Sequence, residues 1–352
     1  MDRQHIPIFL FGFVGGLAAY FIHAPMPFLL GGIFGAASYV LWYERGGNLL
    51  PKMTPWVRLV FMSVIGTMIG SRFSPDLLTM IPLFWISAAA LIPFIIIAHL
   101  GSYSIMRFLG GYRPLDAYFA ALPGGIVDSI ALAESAGADL RIVTAQHFVR
   151  IIIVVVAVPF LFLIIHGDAV GSLAGETMAT SDYDWVDLAL IVGIALFGLG
   201  FGRLARLPVS HMLGPLLFAL VLSISGVVSI DFPQWLTDLA QYMIGTALGA
   251  QFSGLSRRML AKGLGLGILV GIYMLVLGAC IALILVQFVP ADFPVLFVSF
   301  AAGGLAEMSL IALSLNFNPV IVALHHLIRI FLTVWIGAVA AKRVFKFDLS
   351  AR

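Results

Sequence analysis

Long unbroken apolar runs, not alternating positions, set the pattern of this chain. Ile6–Phe21, Phe28–Tyr43, Leu83–His99, Ile142–Ile165, Leu188–Gly202 and Leu264–Phe288 recur from end to end with few polar interruptions. A helix of about 20 apolar residues crosses the hydrocarbon core of a bilayer. A transmembrane barrel needs strands of ~10 residues that alternate between lipid and lumen, and continuous Ile, Leu, Val and Ala do not alternate. The pattern predicts an all-α polytopic membrane protein with almost no soluble part. The first run follows Arg3 without a small-residue cleavage site, so it reads as a retained span and not as a signal peptide.

The pattern also repeats. A shift of 179 positions lays Trp56 on Trp235 and "IGTMIGSRF" (Ile65–Phe73) on "IGTALGAQF" (Ile244–Phe252), and the register holds without a gap to Ile151. The same shift lays Gly124 and Gly125 on Gly303 and Gly304, Asp128 on Glu307, His147 on His326 and Arg150 on Arg329. Earlier in the chain a shift of 183 lays "LLGG" (Leu29–Gly32) on "MLGP" (Met212–Pro215). The chain therefore divides into a membrane repeat at 1–165, a linker at 166–184 and a second membrane repeat at 185–352.

Lys and Arg collect in cytoplasmic loops, and their positions orient the halves. The linker carries Asp168, Glu176, Asp182 and Asp184 without Lys or Arg, which places it outside. Arg3, the Arg45–Lys52–Arg58 loop, Arg107, Arg113, "SRRMLAK" and the Lys342–Arg343–Lys346–Arg352 tail read as inside; Arg72 dissents. Spans near 186–202, 211–229, 235–252, 261–288 and 319–340 already alternate correctly. The leftover segment Pro294–Asn316 then enters and leaves on one side, as does Leu115–Ala138 in the first half. The predicted architecture is two inverted-topology repeats, each of about five transmembrane helices plus one re-entrant helical hairpin, with both termini cytoplasmic.

Composition agrees with the pattern. The chain is 61% hydrophobic and 10% charged, where a soluble domain carries about 25% charge. Net charge is +2, and no basic run suits a nucleic acid. Cys280 is the only cysteine and lies in an apolar span, which forbids an internal disulfide.

The scarce charges matter because of where they fall. Arg150 and Arg329 each sit ~10 residues into a span, hence ~15 Å deep and near the bilayer centre. An arginine there costs at least ~2.5–3.5 kcal/mol on insertion scales, so each needs a protein, water or ligand partner. One such partner is structural, an ion pair with Asp128 or Glu307; the other is an anionic substrate. His147 and His326 lie three residues earlier on the same helix face, and each is either a hydrogen-bonded buried histidine or a coupling group. The Gly124–Gly125 and Gly303–Gly304 pairs suit tight turns and close approach of a ligand, followed by helix N-termini that favour an anion. Asp128 and Glu307, three residues past each pair, either cap the next helix or carry a coupling H⁺ or Na⁺. Ser129 and Ser309 are weaker candidates, because hydroxyls bond back to their own helix. Asn318 reads as an N-cap, Gly66-xxx-Gly70 and Gly245-xxx-Gly249 as close helix packing. His23, His99, His166 and His211 lie near span ends and receive no role.

On these residues the chain resembles the membrane AbrB-duplication family of bacteria. "LPGGIVDSIALAESAGADLRIVTAQHFVRI", with "GGLAEMSLIAL" and "HHLIRI" as its second copy, carries the likeness. The resemblance covers nearly the whole chain and implies a bacterial inner-membrane protein. Family labels include ammonia monooxygenase and regulator of gene expression, the latter name being shared with an unrelated soluble DNA-binding protein. No residue role is carried over. The residues themselves point to a secondary transporter of a small anionic solute, carboxylate or amino-acid-like, working by alternating access. The substrate-binding residues expected are Gly124, Gly125, Ser129, Arg150, Gly303, Gly304, Ser309 and Arg329, with Asp128, His147, Glu307 and His326 for coupling. No metal or other cofactor is expected beyond that ion. The expected partners are the solute, the lipid bilayer and a second copy of the chain in a homodimer, with no nucleic acid. The alternative is a membrane oxygenase, which needs several His or carboxylates converging on a metal, or an indirect regulator of gene expression.

Overall fold

A computed structural model describes residues 5–51, 56–73, 81–166, 184–205, 207, 209–226, 230–255, 257–315 and 317–345. The chain termini and most of the predicted linker lie outside the described residues. Helices account for nearly all of the rest: α1 (Ile6–Phe21), α2 (Pro27–Glu44), α3 (Trp56–Gly70), α4 (Trp85–Ser104), α5 (Pro114–Ala120), α6 (Ile126–Ala136) and α7 (Leu140–His166). They continue as α8 (Trp185–Leu204), α9 (Ser210–Ile224), α10 (Gln234–Ala250), α11 (Arg257–Leu285), α12 (Phe293–Phe300), α13 (Leu305–Ser314) and α14 (Pro319–Phe345).

These segments are apolar around their whole circumference, the signature of helices solvated by lipid or buried on all sides. Among the described residues, five are long and apolar enough to cross a membrane: Trp85–Leu109, Leu140–Ile165, Trp185–Leu204, Ala261–Leu285 and Pro319–Phe345. This is a polytopic helical membrane protein. α4 does not end at His99; it runs on to Ser104 and continues as a wider π-helical turn to Leu109. Several predicted crossings are shorter than a full span. α1, α3, α9 and α10 have 16, 15, 15 and 17 residues, about 23–26 Å at 1.5 Å per residue. Their ends fall on polar or glycine-bearing turns, such as Ser225–Gly226 after α9 and Ser253–Gly254 beyond α10.

The contacts gather into two compact units, and each draws on both sequence halves. The first comprises Met1–Met80, Pro159–Gly254 and Ser309–Val320. Its packing is glycine against backbone. In α1 and α2, Gly15 and Gly31 lie on each other's carbonyls; in α8 and α9, Gly214 lies on the carbonyl of Gly198. Gly66 and Gly70 of α3 meet the carbonyls of Met212 and Leu216 in α9, while Gly245 and Gly249 of α10 meet those of Leu29 and Ile33 in α2. Small residues at four-residue spacing let helix backbones approach this closely. Glu44 ties the end of α2 to the end of α10, accepting from Ser253 Oγ at 2.6 Å and from the Gly254 N–H at 2.9 Å.

The second unit comprises Ile81–Val158, Leu255–Met308 and Ile321–Arg352. Here the core is aromatic and polar together. Phe94 and Phe300 meet edge to face at 5.4 Å, and buried His325 bonds Ser87 Oγ at 2.9 Å through Nε2 and the Ile321 carbonyl at 2.8 Å through Nδ1. α7 leaves this unit at Pro159, where a proline removes a helix hydrogen bond.

Candidate functional site

The first hairpin is built from its ends inward. α5 opens with Pro114 in its first turn, a position where the missing N–H costs nothing. Asp116, 1% exposed, takes the Arg113 fork at 2.7 and 2.9 Å and the backbone N–H of Asp139 at 2.8 Å. That last bond holds the start of α7 beside the start of α5. Further along, His147 Nε2 lies 2.9 Å from the Phe119 carbonyl. Arg150 then donates from Nη1 to the Leu122 carbonyl at 2.5 Å and from Nη2 to the Gly124 carbonyl at 3.1 Å. The three rungs ascend both helices in the same order, so α5 and α7 run side by side in one direction. α6 must therefore bring the chain back from the break to the start of α7. Its 11 residues span ~16 Å, matching the ~15 Å from Leu140 to Arg150. Gly137, at φ 76°, ends the return arm in a conformation that favours glycine.

The second hairpin carries the same rungs. His326 Nε2 lies 3.1 Å from the Val298 carbonyl, and Arg329 donates from Nη1 to Ala301 at 2.7 Å and from Nη2 to Gly303 at 2.8 Å. Each acceptor and each donor stands 179 positions after its counterpart in the first hairpin. α13 has 10 residues, ~15 Å of return for an arginine ~15 Å into α14. Asn318 caps α14 by accepting the Val320 N–H at 3.0 Å, as its position at a helix start predicts.

This geometry answers how two arginines survive at mid-helix. Both are 1% exposed, and both Nη groups of each bind carbonyls at the point where α5 and α12 stop. A broken helix leaves its last carbonyls unpaired, with a partial negative charge that attracts a cation. The arginines are thus C-caps for the breaks. The structural alternative read from sequence, an ion pair to Glu307, is not formed, since no ion pair joins either arginine to a carboxylate among the described residues. The side chain of Asp128 lies outside the described residues. Sequence reasoning looked for carboxylates because it pairs charge with charge; the true partners are backbone atoms, which no residue letter reports.

Some capacity remains. Nε of Arg150 and Nε of Arg329 are buried without a hydrogen-bond partner. His147 and His326 are wholly buried. Each places Nε2 on a carbonyl, which can only accept, so the hydrogen sits on Nε2 and Nδ1 is left as an acceptor without a partner. Glu307, also fully buried, folds its carboxylate back over Gly304, where a Cβ would collide with it; that posture suits capping of α13. Gly303 makes room for Met308, and Gly124 for the methyl of Thr333. Ser129 and Ser309 are buried on the two return arms. One cluster escaped the sequence reading: Gln146 donates to the Tyr112 hydroxyl at 2.9 Å, with Lys262 Nζ 4.4 Å from the centre of that ring. Its one signal was an amide inside an apolar run, next to His147.

A family profile described as "Transition state regulatory protein AbrB" matches residues 28–345. The chain belongs to the AbrB family. This AbrB-family protein is 26% identical to "Putative regulator AbrB" of Escherichia coli (strain K12) over 328 residues, covering 91% of this chain and 90% of the relative. It is 25% identical to "Uncharacterized protein YhjN" of Bacillus subtilis (strain 168) over 294 residues, 79% of this chain and 76% of the relative. No solved structure matches.

Proposed function

We propose that this AbrB-family protein is a secondary transporter of a small anionic solute, carboxylate or amino-acid-like, that works by alternating access between two inverted repeats. The observation that carries the proposal is the pair of buried arginines, each binding the break of its own hairpin and each keeping Nε–H in reserve. Paired broken elements at mid-membrane, from related halves of the chain, are the usual construction of secondary transporters. The swapped glycine contacts, α3 on α9 and α10 on α2, support the repeat reading, since a two-fold relation exchanges contacts in this way.

In this mechanism the anion sits between the hairpin tips and accepts from Nε–H of Arg150 and Arg329 and from first-turn N–H groups after Gly125 and Gly304. Asp128, Glu307 and the Nδ1 atoms of His147 and His326 are the candidate carriers of a coupling H⁺ or Na⁺. Solute binding would neutralise the buried positive charge of the arginines and let the unit holding them change its exposure.

The test begins with thermal-shift screening of purified protein against carboxylates and amino acids, with and without Na⁺, followed by uptake of the hits into proteoliposomes. Arg150→Lys and Arg329→Lys, checked for membrane insertion, are expected to lose uptake. Unimpaired transport by both variants would sink the assignment.

The names of the relatives point to regulation. A regulator acting directly on DNA needs a basic module, and the helices here are of membrane composition. Transport of a signalling metabolite accommodates the name without such a module. The oxygenase reading draws less support, because among the described residues no three His, Cys, Asp or Glu come together.

A further inference from the structure

We propose that a cavity beside the first hairpin binds a membrane-dissolved, single-chain amphiphile whose head is a neutral hydroxyl. The cavity has a volume of about 320 Å³ and lies between α4, the end of α5 and the second half of α14. Its walls are apolar, with Leu122, Gly337 and Phe345 among them, and its rim includes exposed Ile96, Leu100 and Val344. On a chain of membrane-spanning helices such a rim meets lipid, so the entrance opens to the hydrocarbon phase.

Two atoms break the apolar lining. Thr333 is 1% exposed, and its Oγ1 is buried without a hydrogen-bond partner. His99 also lines the cavity, and its Nδ1 is buried without a partner, a donor or an acceptor according to the tautomer. Tyr118, the other polar residue deep in the wall, is already committed, donating to the Gly337 carbonyl at 2.9 Å. The site therefore suits a head that can both donate and accept, serving the Thr333 hydroxyl and either tautomer of His99. A hydroxyl does both. An alkane does neither, and a phosphodiester or carboxylate would carry its charge into an apolar cavity whose lining includes no Lys or Arg to pair it. Thr333 also packs against Gly124, and Leu122 offers its carbonyl to Arg150. An occupant would thus lie against the break of the first hairpin.

The experiment reads binding alone and does not depend on the transport reading. Radiolabelled 1-dodecanol is titrated onto the full chain in nanodiscs, with dodecane and dodecanoate as competitors. Saturable binding is expected, with dodecanol out-competing dodecane and dodecanoate by about five-fold or more, the worth of an unmatched hydrogen bond. Thr333→Val, which keeps the shape that packs on Gly124, is expected to weaken dodecanol about five-fold or more, and Thr333→Ser to restore it. His99→Phe should weaken it as well. Dodecane competing as well as dodecanol, or Thr333→Val binding like the parent, would mean that a trapped water satisfies both atoms and would overturn the proposal. So would tighter binding of dodecanoate, or no saturable binding at all.

Discussion

At the scale of the residue, depth and charge were legible in the letters, and partnership was not. Arg150 and Arg329 were singled out because an arginine ~10 residues into an apolar helix is expensive. That they bind the carbonyls of Leu122 and Gly124, and of Ala301 and Gly303, depends on where two other helices stop. Replacing Arg150 by Ala strands two buried carbonyls, each worth about 1–3 kcal/mol when left unpaired, so thermal unfolding in detergent should register a loss of about 2–6 kcal/mol. His147→Phe removes one donor from the Phe119 carbonyl, which keeps the Leu122 N–H, and should cost clearly less in the same assay. Gly304→Ala tests another feature. Its Cβ meets the end of a side chain, the Glu307 carboxylate, so the fold should survive while the carboxylate is displaced. Uptake, and its dependence on the coupling ion, should fall with little change in melting temperature. At the membrane surface, hydrogen bonds from the Arg141 side chain at 3.2 and 3.0 Å hold the Asp139 carboxyl below the usual carboxylate range. A depressed carboxyl contributes stability above its unfolded pKa, and the contribution is lost as pH falls through the folded value. Asp139→Asn should therefore flatten the acid side of the stability profile by lowering stability at neutral pH, with little change at pH values below the folded pKa.

At the scale of the element, the unbroken apolar runs located the helices well. The broken segments expected at Leu115–Ala138 and Pro294–Asn316 appear as α5–α6 and α12–α13, because proline at the start and paired glycine at the tip are local signals. The direction of each return arm was not local. It follows from the ordered rungs Asp116–Asp139, Phe119–His147 and Leu122–Arg150. Glycine spacing likewise announced close packing without naming the neighbour. Gly70→Val places a side chain on the carbonyl of Leu216, backbone that cannot step aside, so destabilisation at or above the ~1–3 kcal/mol of ordinary overpacking is expected. Gly265→Ala, with nothing within 4 Å of its Cβ, should be neutral or slightly stabilising through helix propensity. Paired melting curves of the two variants decide this.

At the scale of the whole molecule, the proposed inverted arrangement can be tested at equivalent loops. Asn48 and Asp231, both exposed, are 183 positions apart, the register of the early repeat. In a background with Cys280 replaced by Ser, Asn48→Cys and Asp231→Cys should be labelled by an impermeant maleimide from opposite faces of the membrane. Labelling from the same face would mean parallel repeats and would remove the alternating-access argument. The sequence by itself determined the solvent, the helices, the chain's similarity to itself at a shift of 179 and the two costly arginines, because each is written in composition, apolar runs or self-similarity along one line. Only the tertiary structure decided what those arginines hold, which way the return arms run and that each compact unit draws on both halves of the chain. The cause is physical: backbone carbonyls and glycine surfaces carry the decisive contacts, and a backbone atom has no letter of its own until the fold brings it opposite a partner.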